Sequence, residues 1–212
     1  LVKGKIIFNI NRNSNDKKQL FIDATIVSLS EHGYQGTTVR QIAKYVGVAP
    51  GLLTHYYKGK EVLIAESYIY LANQFLDNFK EKIADHKSNP AKALQIFFQN
   101  IFEPDILGAK YLRVWITFWT LTLTEPKLRN AHKEIYNHYI TSIEAMLIDI
   151  YKSNGIDYSD KNPKALAIGI NALLDGLWLE CCLNPDAFSK QENLKIVYNF
   201  VESTTGLDIK SA

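Results

Sequence analysis

Apolar residues recur at helical spacing along almost the whole chain. From Lys17 to His32 they fall at Leu20, Ala24, Val27 and Leu29, with Phe21 and Ile26 widening the stripe. Gly33 follows as a helix stop. Two shorter patterned runs come next, split by Gly47 and Val48: one over 39–46, the other starting at Pro50. Longer helices are expected over 60–85, 90–103, 107–123, 126–153, 163–183 and 186–205. All six prolines fall at proposed helix starts or in the gaps between helices, where a missing N–H does little harm. Asn89, Asn162 and Asn184 each precede a proline and are placed to act as N-caps. Asp175-Gly176, a turn-like dipeptide, lies inside a helical pattern with no flanking strands. The fold class expected is all-α with about nine helices. A flexible arm would cover 1–16 and a three-helix head 17–60. A larger helical body would cover 61–212, joined to the head by the helix over 60–85.

The short pair raises the functional question. Helices of two turns do not persist alone in water, so both must be braced. Thr38 is a good N-cap for the first, with Gln41 at the capping-box position. Ile42, Ala43 and Val46 make one apolar face. Gly47 allows a sharp turn because it has no Cβ, and Val48 can plug the corner. In the second helix, opened by Pro50, Leu53 and Tyr57 are spaced to face inward. Gly51, Leu52, Thr54, His55 and Tyr56 are left largely outward. This is the layout of a helix-turn-helix, whose second helix enters a DNA major groove.

The outward chemistry suits that task. Gly51 lets the helix approach DNA closely. Thr54 can bond a base edge or a phosphate, and Leu52 can touch a thymine methyl. His55 and Tyr56 offer hydrogens to phosphate oxygens, and Arg40 can reach a guanine edge or a phosphate. Lys60, at the start of the next helix, combines an ammonium with free backbone N–H groups. Thr38 and Pro50 complete the DNA-facing set. Charge agrees: residues 1–60 hold nine Lys/Arg against three Asp/Glu, and residues 61–212 hold fifteen against nineteen. A basic head on a mildly acidic body points to an anionic partner. Lys3, Lys5, Arg12, Lys17 and Lys18 offer an arm that tracks DNA or a solvated tail.

Composition narrows the classes further. The chain has 212 residues, 47% hydrophobic and 22% charged, enough for a real core. Its two cysteines, Cys181 and Cys182, are adjacent and poorly placed to bridge, which suits a reducing cytoplasm. They read as buried apolar side chains, with thiol-oxidant sensing as the alternative. No apolar run reaches the roughly 18 residues of a membrane span. His32, His55, His86, His132 and His138 form no helical metal pair, and no phosphate loop or nucleophile elbow is present. No metal, cofactor or catalytic residue is expected. A helical enzyme and an interaction module without DNA binding remain as competing classes.

Residues 17–63, with "EHGYQGTTV" and "IAKYVGVAPGLLTHYYKGKEVL", resemble the DNA-binding head of the TetR family of bacterial repressors. The family phrase usually ends in Tyr-x-His-Phe before a lysine. Here Thr54-His55-Tyr56-Tyr57 stands there, with Tyr57 in the Phe place. "GLLTHYYKGK", "KYLRVWITFWTLTLTEPKLR" and "ALLDGLWLECCL" look most like the BetI branch, which responds to choline. The resemblance implies a homodimer on a pseudo-palindromic DNA operator, released by a small-molecule effector. The helix over 163–183 is apolar nearly all round, as a helix shared with a partner would be. The helix over 186–205, with Phe188, Leu194, Val197, Tyr198 and Val201, would complete the seam. Tyr111, Trp115, Phe118 and Trp119 form an aromatic set. With Asp175 and Trp178 they could hold a quaternary ammonium by cation–π attraction and charge; ordinary core packing is the alternative. A regulator of another pathway, with an apolar or aromatic effector, fits the same head.

Overall fold

The computed structural model describes residues 16–86, 88–207 and 209; apart from Asp16, the expected N-terminal arm lies outside them. Among the described residues the chain is helical, in nine α-helices. These are α1 (Lys17–Gly36), α2 (Val39–Val46), α3 (Pro50–Tyr56), α4 (Lys60–Ile83) and α5 (Pro90–Ile101). After them come α6 (Ala109–Thr122), α7 (Pro126–Ser153), α8 (Pro163–Leu183) and α9 (Lys190–Thr205). Two 3-10 turns, Ala84–His86 and Pro104–Ile106, follow α4 and precede α6.

Helix starts follow side-chain chemistry. The Asp16, Thr38, Asn89 and Asn162 side chains each accept a backbone N–H in the first turn of the helix that follows. Three expectations fail at this level. Gln41 does not complete a capping box: its side-chain amide lies 3.3 Å from His32 Nε2 on α1 instead. Asn184 is no N-cap; it closes α8, its N–H donating to the Glu180 carbonyl. The last helix starts later than expected, at Lys190, where Ser189 and Glu192 form a reciprocal capping box. That box satisfies two amide donors, which Pro185 with Asn184 does not. Phe188 therefore lies in the connection, 44% exposed. Gly33 breaks α1 as expected, at φ +64°, although helical turns resume to Gly36.

The described chain divides into two compact units: residues to 75 with 109–135, and residues 76–108 with 136 onward. Helices α4 and α7 each contribute to both. In the first unit one core joins α1–α4 to α6 and the start of α7, through Phe21, Leu29, Ile42, Leu53, Tyr68 and Phe118. Arg129 closes the end of α6, donating to the Thr122 carbonyl at 2.9 Å and the Leu123 carbonyl at 2.6 Å. In the second unit, Phe97 packs between Phe79, Phe98 and Tyr139. Leu207 and Ile209, beyond α9, are buried too, and the Gln95 amide donates to the Ile209 carbonyl.

One helix corrects the sequence reading on membranes. By length and composition α8 is apolar enough to cross a bilayer. Its inward face is Ala167, Ile170, Leu174 and Trp178, all buried, and it carries Asn171, Asp175 and Glu180. A core helix passes the same length test.

Candidate nucleic-acid interface

Helix α3 has a dry side and a wet side. Leu53 is wholly buried and Tyr57, just beyond, is 2% exposed. Pro50, Gly51, Thr54, His55 and Tyr56 are exposed, and Leu52 is half-buried against the head core. The burial anchors a helix too short to stand alone, so the outward residues sit on a fixed scaffold. Gly47 sets the angle between α2 and α3, in the left-handed region at φ 78°, ψ 36°. Val48 packs into the corner it makes.

The outward side chains differ in freedom. Thr54 turns its hydroxyl onto its own helix, donating to the Gly51 carbonyl at 2.9 Å, and keeps oxygen lone pairs outward. Tyr56 is braced: its ring lies 5.8 Å from Phe21 and edge-on to His55 at 5.5 Å. A Cβ added at Gly51 meets nothing within 4 Å. Thr38 caps α2 through Oγ1 at 3.1 Å from the Gln41 backbone nitrogen, and Arg40, in the same turn, is exposed. Lys60 is already engaged: its Nζ stands 3.9 Å from the Tyr34 ring centroid and donates to the Tyr34 carbonyl at 3.3 Å.

Two contacts at the end of α1 carried no sequence signal. Arg113, on α6, donates from Nη1 to the carbonyls of Ser30 (2.9 Å) and Glu31 (2.8 Å), at the end of α1. A second group ties α1 to α2: Tyr45 donates to Glu31, and His32 Nε2 lies 2.9 Å from the Tyr45 hydroxyl. Both depend on residues far apart in the chain meeting at one helix end.

The residues expected to hold an effector are divided between the units. On α6, in the first, Tyr111 and Phe118 are buried and Trp115 and Trp119 half-buried. Trp115 lies 6.3 Å from Tyr111, 5.8 Å from Phe118 and 6.5 Å from Trp119, centroid to centroid. Tyr68 and His132 join this set and were missed in the sequence. The Tyr68 ring stands edge-on to Trp115 and Phe118, and its hydroxyl lies 2.8 Å from His132 Nδ1. Burial lowers the His132 pKa and raises that of Tyr68, so the pair is neutral at pH 7.

On α8, in the second unit, Trp178 is buried and donates from Nε1 to the Ile106 carbonyl at 2.9 Å. Asp175 keeps surface open to solvent, yet protein around its carboxyl group desolvates it. Its pKa is pushed up to about 6, against a smaller downward pull from the Asn171 amide 2.9 Å away. Cys181 and Cys182 are buried free thiols, held off ionisation by burial. A raised thiol pKa makes a poor oxidant sensor.

Comparison with known proteins agrees with this geometry. Residues 21–66 match the family model of bacterial regulatory proteins of the tetR family. Residues 90–206 match that of the BetI-type transcriptional repressor, C-terminal. The HTH-type transcriptional regulator BetI of Yersinia pestis (strain Pestoides F) is 25% identical over 199 residues, 92% of this chain and 95% of that one. A solved structure of a putative transcriptional regulator from Pseudomonas aeruginosa PAO1 is 30% identical, with TM-score 0.81 and 92% of each chain covered. A regulator from Saccharomonospora viridis, solved in complex with choline, shares the fold at TM-score 0.75 and 18% identity, over 87% of this chain and 95% of that one.

Proposed function

Because the chain belongs to the TetR family of bacterial transcriptional regulators and carries a BetI-type C-terminal part, we propose the following course of action. It binds a pseudo-palindromic operator as a cytoplasmic homodimer and leaves it when a small quaternary ammonium of the choline type binds. The observation that carries the DNA half is the two-sided α3: a wholly buried Leu53 behind an exposed Thr54, His55 and Tyr56. A dimer presents two such helices about 34 Å apart, one per half-site. Support for pairing lies on α8, which leaves Ile168 42% and Leu183 60% exposed, and on α9, which leaves Ile196 38% exposed. Exposed apolar side chains on two helices that pack together suit the surface of a second copy.

The effector half rests on less. Half-buried Trp115 and Trp119, both in the first unit, can offer ring faces to a cation. Release would be a population shift: a differential affinity of about 1.4 kcal/mol between the two body shapes weakens operator binding tenfold. Helix α4 begins in the head, and Arg113 ties α6 to the end of α1, so both helices can carry the shift. The test is a fluorescence titration of the full protein on a duplex it has selected from a random pool, with and without choline. Loss of binding on adding choline is expected. Tight binding indifferent to choline transfers the effector role to an apolar or aromatic compound and leaves the DNA half standing.

A further inference from the structure

We infer that Tyr34 is a positioning residue for DNA binding, holding the Lys60 ammonium in place for a phosphate. The inference rests on reading Lys60 as a phosphate contact. Lysine has a long, flexible stem and three N–H donors, so an unbraced Lys60 would reach a phosphate from many rotamers. Here it does not roam. Its Nζ lies 3.9 Å from the Tyr34 ring centroid, within cation–π range, and 3.3 Å from the Tyr34 carbonyl. One donor is taken by that carbonyl, and two remain for phosphate oxygens.

The ring is itself held. The Tyr34 hydroxyl donates to Glu61 Oε1 at 3.5 Å, so one tyrosine meets two consecutive residues of the first turn of α4. Its hydroxyl stays un-ionised: burial and the nearby Glu61 carboxylate both raise its pKa. The contact exists because α1 breaks at Gly33, where φ is +64°. That break lets Tyr34 leave the path of α1. Residues 26 apart in the chain then meet at one helix end. The Tyr34 ring packs against the head core on one side and carries the ammonium on the other, at the edge, where Lys60 is half-buried.

Two alternatives give opposite signs. If Tyr34 orders Lys60, losing the ring weakens DNA binding. If Tyr34 sequesters Lys60, losing the ring strengthens it. The experiment measures affinity of the full-length protein for its selected duplex at several salt concentrations. It compares Tyr34→Leu, Tyr34→Phe, Lys60→Ala and the Tyr34→Leu/Lys60→Ala double variant. Tyr34→Leu is expected to weaken binding about threefold per head, hence about tenfold for a two-headed complex, the cost of ordering one freed lysine side chain per head on binding. Tyr34→Phe keeps ring and carbonyl and should stay within about twofold of the parent. On the Lys60→Ala background, Tyr34→Leu should cost nothing more.

Parental or tighter binding by Tyr34→Leu overturns the inference, as does a full cost surviving on the Lys60→Ala background. Parental binding by Lys60→Ala itself removes the phosphate reading of Lys60, and the inference with it. Should Tyr34→Leu lose its cooperative melt, NMR of the parent protein decides. Ring-current shifts of the Lys60 ε-methylene protons, kept in Tyr34→Phe, support the contact; random-coil shifts in both refute it.

Discussion

Gly51 separates stability from function at the level of one residue. It lies in the first turn of α3, and a Cβ there would meet nothing within 4 Å. Alanine loses less backbone entropy on folding than glycine, so Gly51→Ala should stabilise the free protein by roughly 0.5 kcal/mol. On DNA the same methyl group stands between helix and duplex, and affinity should fall severalfold. A thermal melt and a binding titration on one variant check both signs; unchanged affinity would show that Gly51 does not face the duplex. Asp175 makes a pH prediction. Its folded pKa, about 6, lies above the ordinary aspartate value of 3.8, so the folded state holds the proton more tightly. Stability should then fall as pH rises between about 4 and 6. Asp175→Asn should remove that slope in urea titrations across this range, whereas an unaltered slope would place its cause elsewhere.

Helices and their ends explain what could be read in advance. The runs over 39–46, 126–153 and 163–183 were visible to the residue, because a local cap, a proline or a glycine bounds each. Such signals act over three or four residues and need no tertiary partner. The late start of α9 was legible too, in the local Ser189–Glu192 box, but was passed over for Asn184-Pro185; the diverted Gln41 was not, since its partner His32 lies on another helix. The inward Leu53 and Tyr57 could be read from an i, i+4 spacing. Tyr68 and His132 could not, because they meet 64 positions apart. Arg113 belongs to the same invisible class. Arg113→Ala removes two hydrogen bonds to the end of α1 and should cost about 1–2 kcal/mol in thermal unfolding. It should also blunt the effect of choline on operator affinity more than that affinity itself. An unchanged effector response in this variant would leave α4 as the sole route between effector and head.

For the whole molecule, the sequence carried two large-scale signals, a basic N-terminal sixty residues and an apolar α8. The first concentrates positive charge around α2 and α3, where Arg40, Lys44 and Lys58 are exposed. The second leaves apolar side chains uncovered on a single protomer. Ile168→Lys with Leu183→Lys should convert the proposed dimer to monomers in sedimentation. Operator affinity should then fall by at least a hundredfold, roughly the advantage of tethering two heads. A dimer unaffected by both lysines would move the seam away from α8. The DNA-binding claim itself is tested most directly by titrating the protein and its Arg40→Ala/Tyr56→Ala/Lys60→Ala variant against its selected duplex over a range of salt. Tight, steeply salt-dependent binding by the parent is expected, with a large loss of affinity and a shallower salt slope in the variant. Equal affinity and equal slope for the two proteins would contradict it.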